Sequence, residues 1–164
     1  MKRNETRLMM DALKYEEGHA RRTQHILKVY ALAKVFGEQE GLNQEEQELL
    51  QAAAILHDIP IKFCKEKYQG DASQENQQKE APKLVEGFML DAEYSKKDVE
   101  IVLDMVLNHH KYHIEHTRLL QILIEADLII NYYEEGQKTE YFEKIKELFV
   151  TETGRGFLLQ TIKK

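Results

Sequence analysis

The sequence predicts an all-α fold, arranged as an irregular bundle of about seven or eight helices. Helix-forming residues with helical periodicity dominate the 164-residue chain, and no convincing alternation of apolar and polar residues marks a strand. Only two prolines interrupt the chain. No internal repeat or linker divides the sequence, so we expect one domain over residues 1–164.

The first half of the chain contains three helical segments with recognisable end signals. We expect a short helix before Gly18 and a second helix between Gly18 and Gly37, because glycine favours helix ends. Asn43 and Glu46 have the spacing of a capping box, which predicts the start of the third helix. Pro60 lies just beyond the end of that helix. The three expected spans are 3–16, 19–36 and 44–58.

A polar loop, QGDASQEN over residues 69–76, precedes the helices of the second half. Ser95 and Asp98 form a second expected capping box, and Gly136 is expected to end a long apolar helix. The last two segments have the pattern of closing helices. The expected spans are 77–91, a helix opened by Ser95 and running to about 110, 115–135, 138–150 and 154–163.

Composition and charge exclude several classes of protein. The formal net charge of −6 argues against a protein whose main task is stable nucleic-acid binding. The first 18 residues lack the apolar core of a signal peptide, and no apolar run approaches the roughly 20 residues of a membrane span. The single cysteine, Cys64, favours a reducing compartment. We therefore expect a cytoplasmic protein without a membrane partner, and the amphipathic helices are compatible with a homodimer.

Polar residues interrupt two apolar helix faces. Asp127 lies within LLQILIEADLII, residues 119–130, which is apolar on almost every side. A lone buried carboxylate costs several kcal/mol, so it needs a partner. Lysine, arginine or backbone donors are the usual ones. His25 lies on the apolar stripe formed by Val29, Leu32 and Phe36, and a lone core histidine is more often hydrogen-bonded than metal-bound.

The stretch AAAILHDIP, residues 52–60, ends an apolar helix on His57 and Asp58. A His-Asp dipeptide alone is weak evidence of a site. Together with His25 and Asp127, however, it gives two imidazoles and two carboxylates at positions where the sequence pattern predicts core. Such a set suits a divalent transition metal, with positions left for water and substrate.

This pattern resembles the HD-domain metal-dependent phosphohydrolase superfamily, whose signature is H…HD…D on the helices of an all-α bundle. It is carried here by RRTQHILKVYALA, AAAILHDI and IEADLII, and it covers roughly residues 19–135. The sequence also resembles, more loosely, small bacterial HD hydrolases that act on nucleotides. The resemblance implies that one divalent transition metal (Mn, Fe, Co, Ni or Zn) is held by His25, His57, Asp58 and Asp127.

Many members of that superfamily bind a second metal through a histidine after the HD motif and a later His-His pair. The later pair is present as His109 and His110, but Lys79 stands where the earlier histidine is expected, followed by Glu80. We therefore expect one firmly held metal, with His109 and His110 near the substrate or weakly binding a second ion.

The resemblance implies hydrolysis of a phosphate ester or anhydride of a small metabolite, and we expect a nucleotide. Asp58 would hold both metal and water, and Glu80 is a candidate proton shuttle, or else an ordinary exposed glutamate. Arg21, Lys62 and Lys79 are candidate phosphate-binding cations. The alternative is a catalytically silent, metal-stabilised helical binding or regulatory module. The intact set of four ligands argues against that alternative.

Overall fold

A computed structural model describes residues 3–162, and within them it contains nine α-helices and no strand. The all-α prediction is therefore confirmed. Within the described residues, every helix falls short of the length or the apolar character that a membrane crossing requires. The helices are α1 Glu5–Tyr15, α2 Ala20–Gln39, α3 Gln44–Leu56, α4 Pro60–Lys67, α5 Gln74–Asp91, α6 Lys96–Asn108, α7 Arg118–Glu134, α8 Thr139–Ile145 and α9 Glu152–Gln160, with a 3₁₀ turn over Lys146–Leu148.

Helix α7 is the central helix of the fold, as its nearly uniform apolar sequence predicts. Residues 120–130 are all buried. Helices α2 and α3 pack against α7 and against each other, and α5 and α6 pair beside them. The alanines at 52–54 are fully buried, and their small side chains allow α3 to approach its neighbours closely. This close packing places the end of α3 against α2 and α7.

Both expected capping boxes are present. The Asn43 side chain accepts a hydrogen bond from Glu46 N at 2.9 Å, and the Glu46 side chain accepts one from Asn43 N at 3.0 Å. Ser95 and Asp98 make the same reciprocal pair at the start of α6. These bonds satisfy backbone donors that the first turn of a helix leaves unpaired.

Helix α4 was not expected from the sequence. Pro60 was interpreted only as the end of α3, whereas it is the first residue of α4, a position that proline also favours. Only the short turn of residues 57–59 therefore separates two helices. The polar loop is also shorter than expected, since Ser73 caps α5, which begins at Gln74.

The expected end of α2 at Gly37 is wrong, because the helix continues to Gln39. Gly37 serves close packing instead: a Cβ atom there would lie 2.5 Å from Gln47 Oε1 and 2.9 Å from Leu50 Cδ2. The turn comes later, at Gly41, whose φ of +77° lies in the left-handed region. Gly136, with φ of +79°, does follow the end of α7 as expected.

The two closing helices have different ends from those expected. Helix α8 stops at Ile145 and continues only as the 3₁₀ turn, so the span 138–150 was too long. Helix α9 begins earlier than residue 154, since the Thr151 side chain accepts a hydrogen bond from Gly154 N and caps the helix. The expected end at residue 163 lies outside the described residues.

Candidate metal centre

Four polar side chains converge in the interior from three parts of the chain. His25 comes from the second turn of α2, His57 and Asp58 from the turn between α3 and α4, and Asp127 from the middle of α7. The Nε2 atoms of His25 and His57 lie 3.0 Å apart. His25, His57 and Asp127 are buried, whereas the Asp58 side chain is 20% exposed.

The two carboxylates complete this set, which we call the four-residue cluster. Asp127 Oδ1 lies 3.1 Å from His25 Nε2 and 3.3 Å from His57 Nε2. Asp58 Oδ2 lies 3.4 Å from each of the same two nitrogens. Ligand atoms about 2.0–2.2 Å from one shared ion are separated by about 3.0–3.5 Å. The observed spacing therefore matches that of side chains arranged around a single metal ion.

The remaining ring nitrogens determine which atoms face the centre. His57 Nδ1 lies 2.7 Å from the Ala54 carbonyl oxygen, and His25 Nδ1 lies 2.9 Å from Glu134 Oε1. Both partners can only accept, so each Nδ1 carries the hydrogen and donates it. In the neutral imidazoles, both Nε2 lone pairs then point into the cluster, together with carboxylate oxygens.

The electrostatics of the cluster favour positive charge at its centre. Burial opposes the charged form of His57, but Asp58 and Asp127 outweigh it and raise the pKa of His57 to about 9. Burial also opposes ionisation of Asp127. Its hydrogen bonds with His25 and His57 reverse that effect and hold its pKa well below the ordinary value. A divalent cation supplies the charge that these groups require, so the donor set fits a metal.

His109 and His110 lie beside the cluster, on the other side of Asp58. His109 donates through Nδ1 to the Val106 carbonyl oxygen at 2.7 Å and directs Nε2 toward Asp58 Oδ1 at 3.4 Å. Both of these facing atoms are buried without a hydrogen-bond partner. Donor atoms of Asp58, His109 and His110 lie close enough together to share an ion.

His110 is held at the edge of this group. Its Nδ1 lies 3.2 Å from the Tyr112 hydroxyl, and its ring packs against His109 with centroids 3.9 Å apart. Burial, and then the neighbouring His109, lower the pKa of His110 to about 4. His110 therefore stays neutral and able to act as a ligand.

The expected phosphate-binding cations are placed differently from one another. The Arg21 side chain is 72% exposed and lies 3.9 Å from Glu135, the residue after the Glu134 that contacts His25, and its role in phosphate binding stays a prediction. Lys62 points away, toward the end of α1, where Nζ donates to the Tyr15 carbonyl oxygen at 2.6 Å. Its role in phosphate binding stays a prediction.

Lys79 and Glu80 are not brought to the cluster. Lys79 is exposed and pairs with Glu75 at 3.4 Å, along the same helix. Glu80 accepts hydrogen bonds from Lys67 at 2.8 Å and from the Tyr68 hydroxyl at 2.7 Å. The proton-shuttle role of Glu80 and the phosphate role of Lys79 stay predictions that this placement does not support.

Two residues near the site were not singled out from the sequence, namely Glu134 and Tyr112. Glu134 follows Asp127 by seven residues, which places both on one face of α7, and this spacing was the available signal. Tyr112 follows His110 by two residues in an irregular segment, where no periodicity indicates the direction of a side chain.

A comparison with protein-family models finds a match over residues 22–132 to the family described as HD domain. The match includes all four cluster residues and the His109–His110 pair. No curated protein and no solved structure matches the chain significantly.

Proposed function

The chain belongs to the HD domain family of metal-dependent phosphohydrolases, and from that membership we propose how its own residues perform the reaction. We propose that His25, His57, Asp58 and Asp127 hold one divalent transition metal. We further propose that the protein hydrolyses a phosphate ester or anhydride of a small metabolite, namely a nucleotide.

One observation carries this proposal. The Nε2 atoms of His25 and His57 lie 3.0 Å apart, and each lies 3.1–3.4 Å from a carboxylate oxygen of both Asp58 and Asp127, without a lysine or arginine of residues 3–162 to balance the carboxylates. In the described part of the chain, the ion pairs of Asp58 and Asp127 involve only histidines. Such a group is costly to bury unless a cation compensates it. The family's metal dependence supplies a reason for this arrangement.

A divalent metal lowers the pKa of water and polarises a phosphoryl oxygen. The chain's own residues then have distinct tasks. Asp58 is the least buried member of the cluster, and its Oδ1 has no hydrogen-bond partner among the described residues, so its carboxylate can accept a hydrogen bond from the attacking water and orient it. His109 Nε2, buried without a partner beside Asp58, can accept a proton from that water as long as no second metal occupies this nitrogen.

The surroundings of the cluster support a nucleotide as substrate. Arg21, which contacts Glu135 beside Glu134, can offset phosphate charge. A cleft of about 740 Å³ begins at Tyr112 and is lined by Ile124 and Leu148, and Ile124 lies one turn of α7 before Asp127. The four cluster residues do not line this cleft, but Tyr112 contacts His110, and we propose that the cleft takes the base and sugar.

A second metal position is a further part of the proposal. Asp58, His109 and His110 would hold it, sharing Asp58 with the first position. It offers three side-chain ligands rather than four, so we expect it to bind an ion more weakly than the four-residue cluster.

The test is to purify the protein, measure bound metal, and screen nucleotides for phosphate release with added Mn²⁺, Co²⁺ or Ni²⁺. We expect release by the wild-type protein and a loss of at least about 10²-fold with Asp58→Ala, since this variant removes both a metal ligand and a water acceptor. Asp104→Ala, an exposed position on α6, is the matched control and should retain full activity.

Phosphate release that survives Asp58→Ala would contradict the proposed roles. Bound metal without release from any nucleotide would instead favour the alternative, a metal-stabilised binding or regulatory module.

A further inference from the structure

The imidazole of His25, on α2, lies between two carboxylates that both belong to α7. Asp127 Oδ1 lies 3.1 Å from Nε2, and Glu134 Oε1 lies 2.9 Å from Nδ1. The two acidic residues are seven positions apart on α7, which is close to two full turns, so both face α2. Asp127 contacts the side of the ring that faces the cluster, and Glu134 contacts the opposite side.

The hydrogen bond from His25 Nδ1 to a carboxylate differs from the Nδ1 hydrogen bonds of His57 and His109. His57 and His109 each donate Nδ1–H to a backbone carbonyl three residues earlier, in the last turn of the preceding helix, at 2.7 Å in both cases. Among these three, only His25 donates to a carboxylate. A charged acceptor on Nδ1 makes the opposite nitrogen a stronger electron-pair donor than a carbonyl does.

A lysine completes the arrangement on the outer side. Lys28 Nζ lies 2.8 Å from Glu134 Oε2, and Lys28 follows His25 by three residues on α2. The Glu134 side chain is 12% exposed, whereas Lys28 is 43% exposed. The chain Lys28–Glu134–His25 therefore runs from the surface to the cluster, with opposite charges in contact at its outer end.

We propose that Glu134 is a positioning residue for the metal site, which fixes the Nδ1–H form of His25 and strengthens Nε2 as a metal ligand. Lys28 limits this effect by neutralising part of the Glu134 charge. This role rests on the proposed function, since it assumes that His25 binds the metal. The competing explanation is structural: the contacts of Glu134 with Lys28 and His25 tie α2 to α7, and any effect on the metal follows only from the stability of that junction.

Metal affinity separates the two explanations without any measurement of hydrolysis. Co²⁺ binding is titrated in competition with a chromophoric chelator, and the visible absorption of bound Co²⁺ is recorded. Glu134→Gln keeps the shape and an acceptor oxygen but removes the charge, and we expect it to weaken Co²⁺ binding about 10- to 100-fold and to alter the absorption spectrum. Glu135→Gln, the exposed neighbour, should change affinity less than about twofold.

Lys28→Met provides the opposite test. If Glu134 acts on the ligand strength of His25, removing its cationic partner leaves Co²⁺ binding at least as tight as in the wild-type protein. If the three residues only join two helices, Lys28→Met and Glu134→Gln lower the thermal midpoint of the metal-free protein together and change Co²⁺ affinity in the same direction.

Each outcome is decisive. Weaker binding with Glu134→Gln and undiminished binding with Lys28→Met support the positioning role. Equal Co²⁺ affinity in the wild-type protein and Glu134→Gln overturns that role and leaves the proposed function standing. A wild-type protein that binds no divalent metal overturns the proposed function, and the role of Glu134 with it.

Discussion

Two buried carboxylates on α7 show how differently one helix can treat the same chemical group. Glu125 accepts hydrogen bonds from the Gln121 side chain at 2.6 Å, from Val150 N at 3.0 Å, and from both N and Oγ1 of Thr151. Its charge is dispersed over neutral donors that belong to the chain. Asp127, only two positions later, has imidazoles as its hydrogen-bond partners. Glu125 is therefore a structural residue, whereas the partners of Asp127 are side chains that can themselves bind a metal.

The shell around Glu125 leaves no room for another atom. A Cβ atom at Gly154 would lie 1.7 Å from Glu125 Oε1, so Gly154→Ala must displace the carboxylate from its donors. We expect a loss of about 2–3 kcal/mol in the free energy of unfolding, measured by urea denaturation. Gly156→Ala, in open space on the same helix, should be neutral or stabilise by up to about 1 kcal/mol. Equal effects of the two substitutions would contradict this explanation.

At the scale of elements, one side chain ties the N-terminal segment to two helices. Arg3 donates a paired hydrogen bond to Asp98 at 2.8 and 2.9 Å and contacts Glu48 of α3 at 2.7 Å. Asp98 also caps α6, where it accepts from Ser95 N at 3.1 Å. The hydrogen bond from Arg3 outweighs burial and, with Ser95, lowers the pKa of Asp98 below its ordinary value of 3.8. The ionised form of Asp98 is thus favoured by the folded protein.

The sign of the resulting pH dependence follows from that lowered pKa. Asp98 contributes its full stabilisation above the unfolded-state pKa, and the contribution is lost as the pH falls through the lower folded-state pKa. We expect Asp98→Asn to cost about 1.5–3 kcal/mol of unfolding free energy at pH 7. That difference should shrink progressively below about pH 4 in urea denaturation curves. A difference that stays constant down to pH 2 would show that charge is not its cause.

A comparison of the expected and observed helices shows which of them the sequence predicts. Long apolar segments with clear caps, such as α3, α6 and α7, were located within a few residues, because their own periodicity and capping residues determine them. Helix α4 was missed because Pro60 is consistent with both a helix end and a helix start. The prediction that Gly37 ends α2 is wrong because this glycine is required by the close approach of α3, and not by a turn. The local sequence pattern of one helix does not indicate which residues of another helix it will contact.

In the candidate site, too, some residues are predictable from the sequence and others are not. The proximity of His25, His57 and Asp127 was expected because buried polar groups need partners and few were available. Glu134 was not expected, since it meets His25 across 109 positions of sequence. Lys62 was expected near the site because it follows Asp58 by four residues, but the turn before α4 directs it toward Tyr15. The rule that residues four positions apart share one face holds within a helix and does not apply across a turn.

At the scale of the whole molecule, the cluster joins parts of the chain that are distant in sequence. Its residues come from α2, from the turn between α3 and α4, and from α7, which together form most of the core. An ion bound there links these elements in the folded state, and no equivalent site exists in the unfolded chain. The single domain over 1–164, the cytoplasmic location and a homodimer stay predictions.

Metal should therefore stabilise the molecule as a whole. At a metal concentration about 100 times its Kd, we expect about 2.7 kcal/mol of added stability, or roughly 5–10 °C in the thermal midpoint. Differential scanning calorimetry of chelator-treated protein with and without Mn²⁺ measures this shift. Asp127→Asn should fold but show little of it. A wild-type midpoint that does not respond to any divalent metal would count against the cluster as a metal site.

The anchoring of His57 and His109 to carbonyls of the preceding helices has a consequence for kinetics. Each imidazole is oriented by the last turn of the helix that precedes it, so little rotamer entropy remains to be lost when an ion arrives. Such preorganisation lowers the entropic cost of binding. We expect metal uptake to be limited by dehydration and entry of the ion past Asp58, rather than by slow rearrangement of the protein.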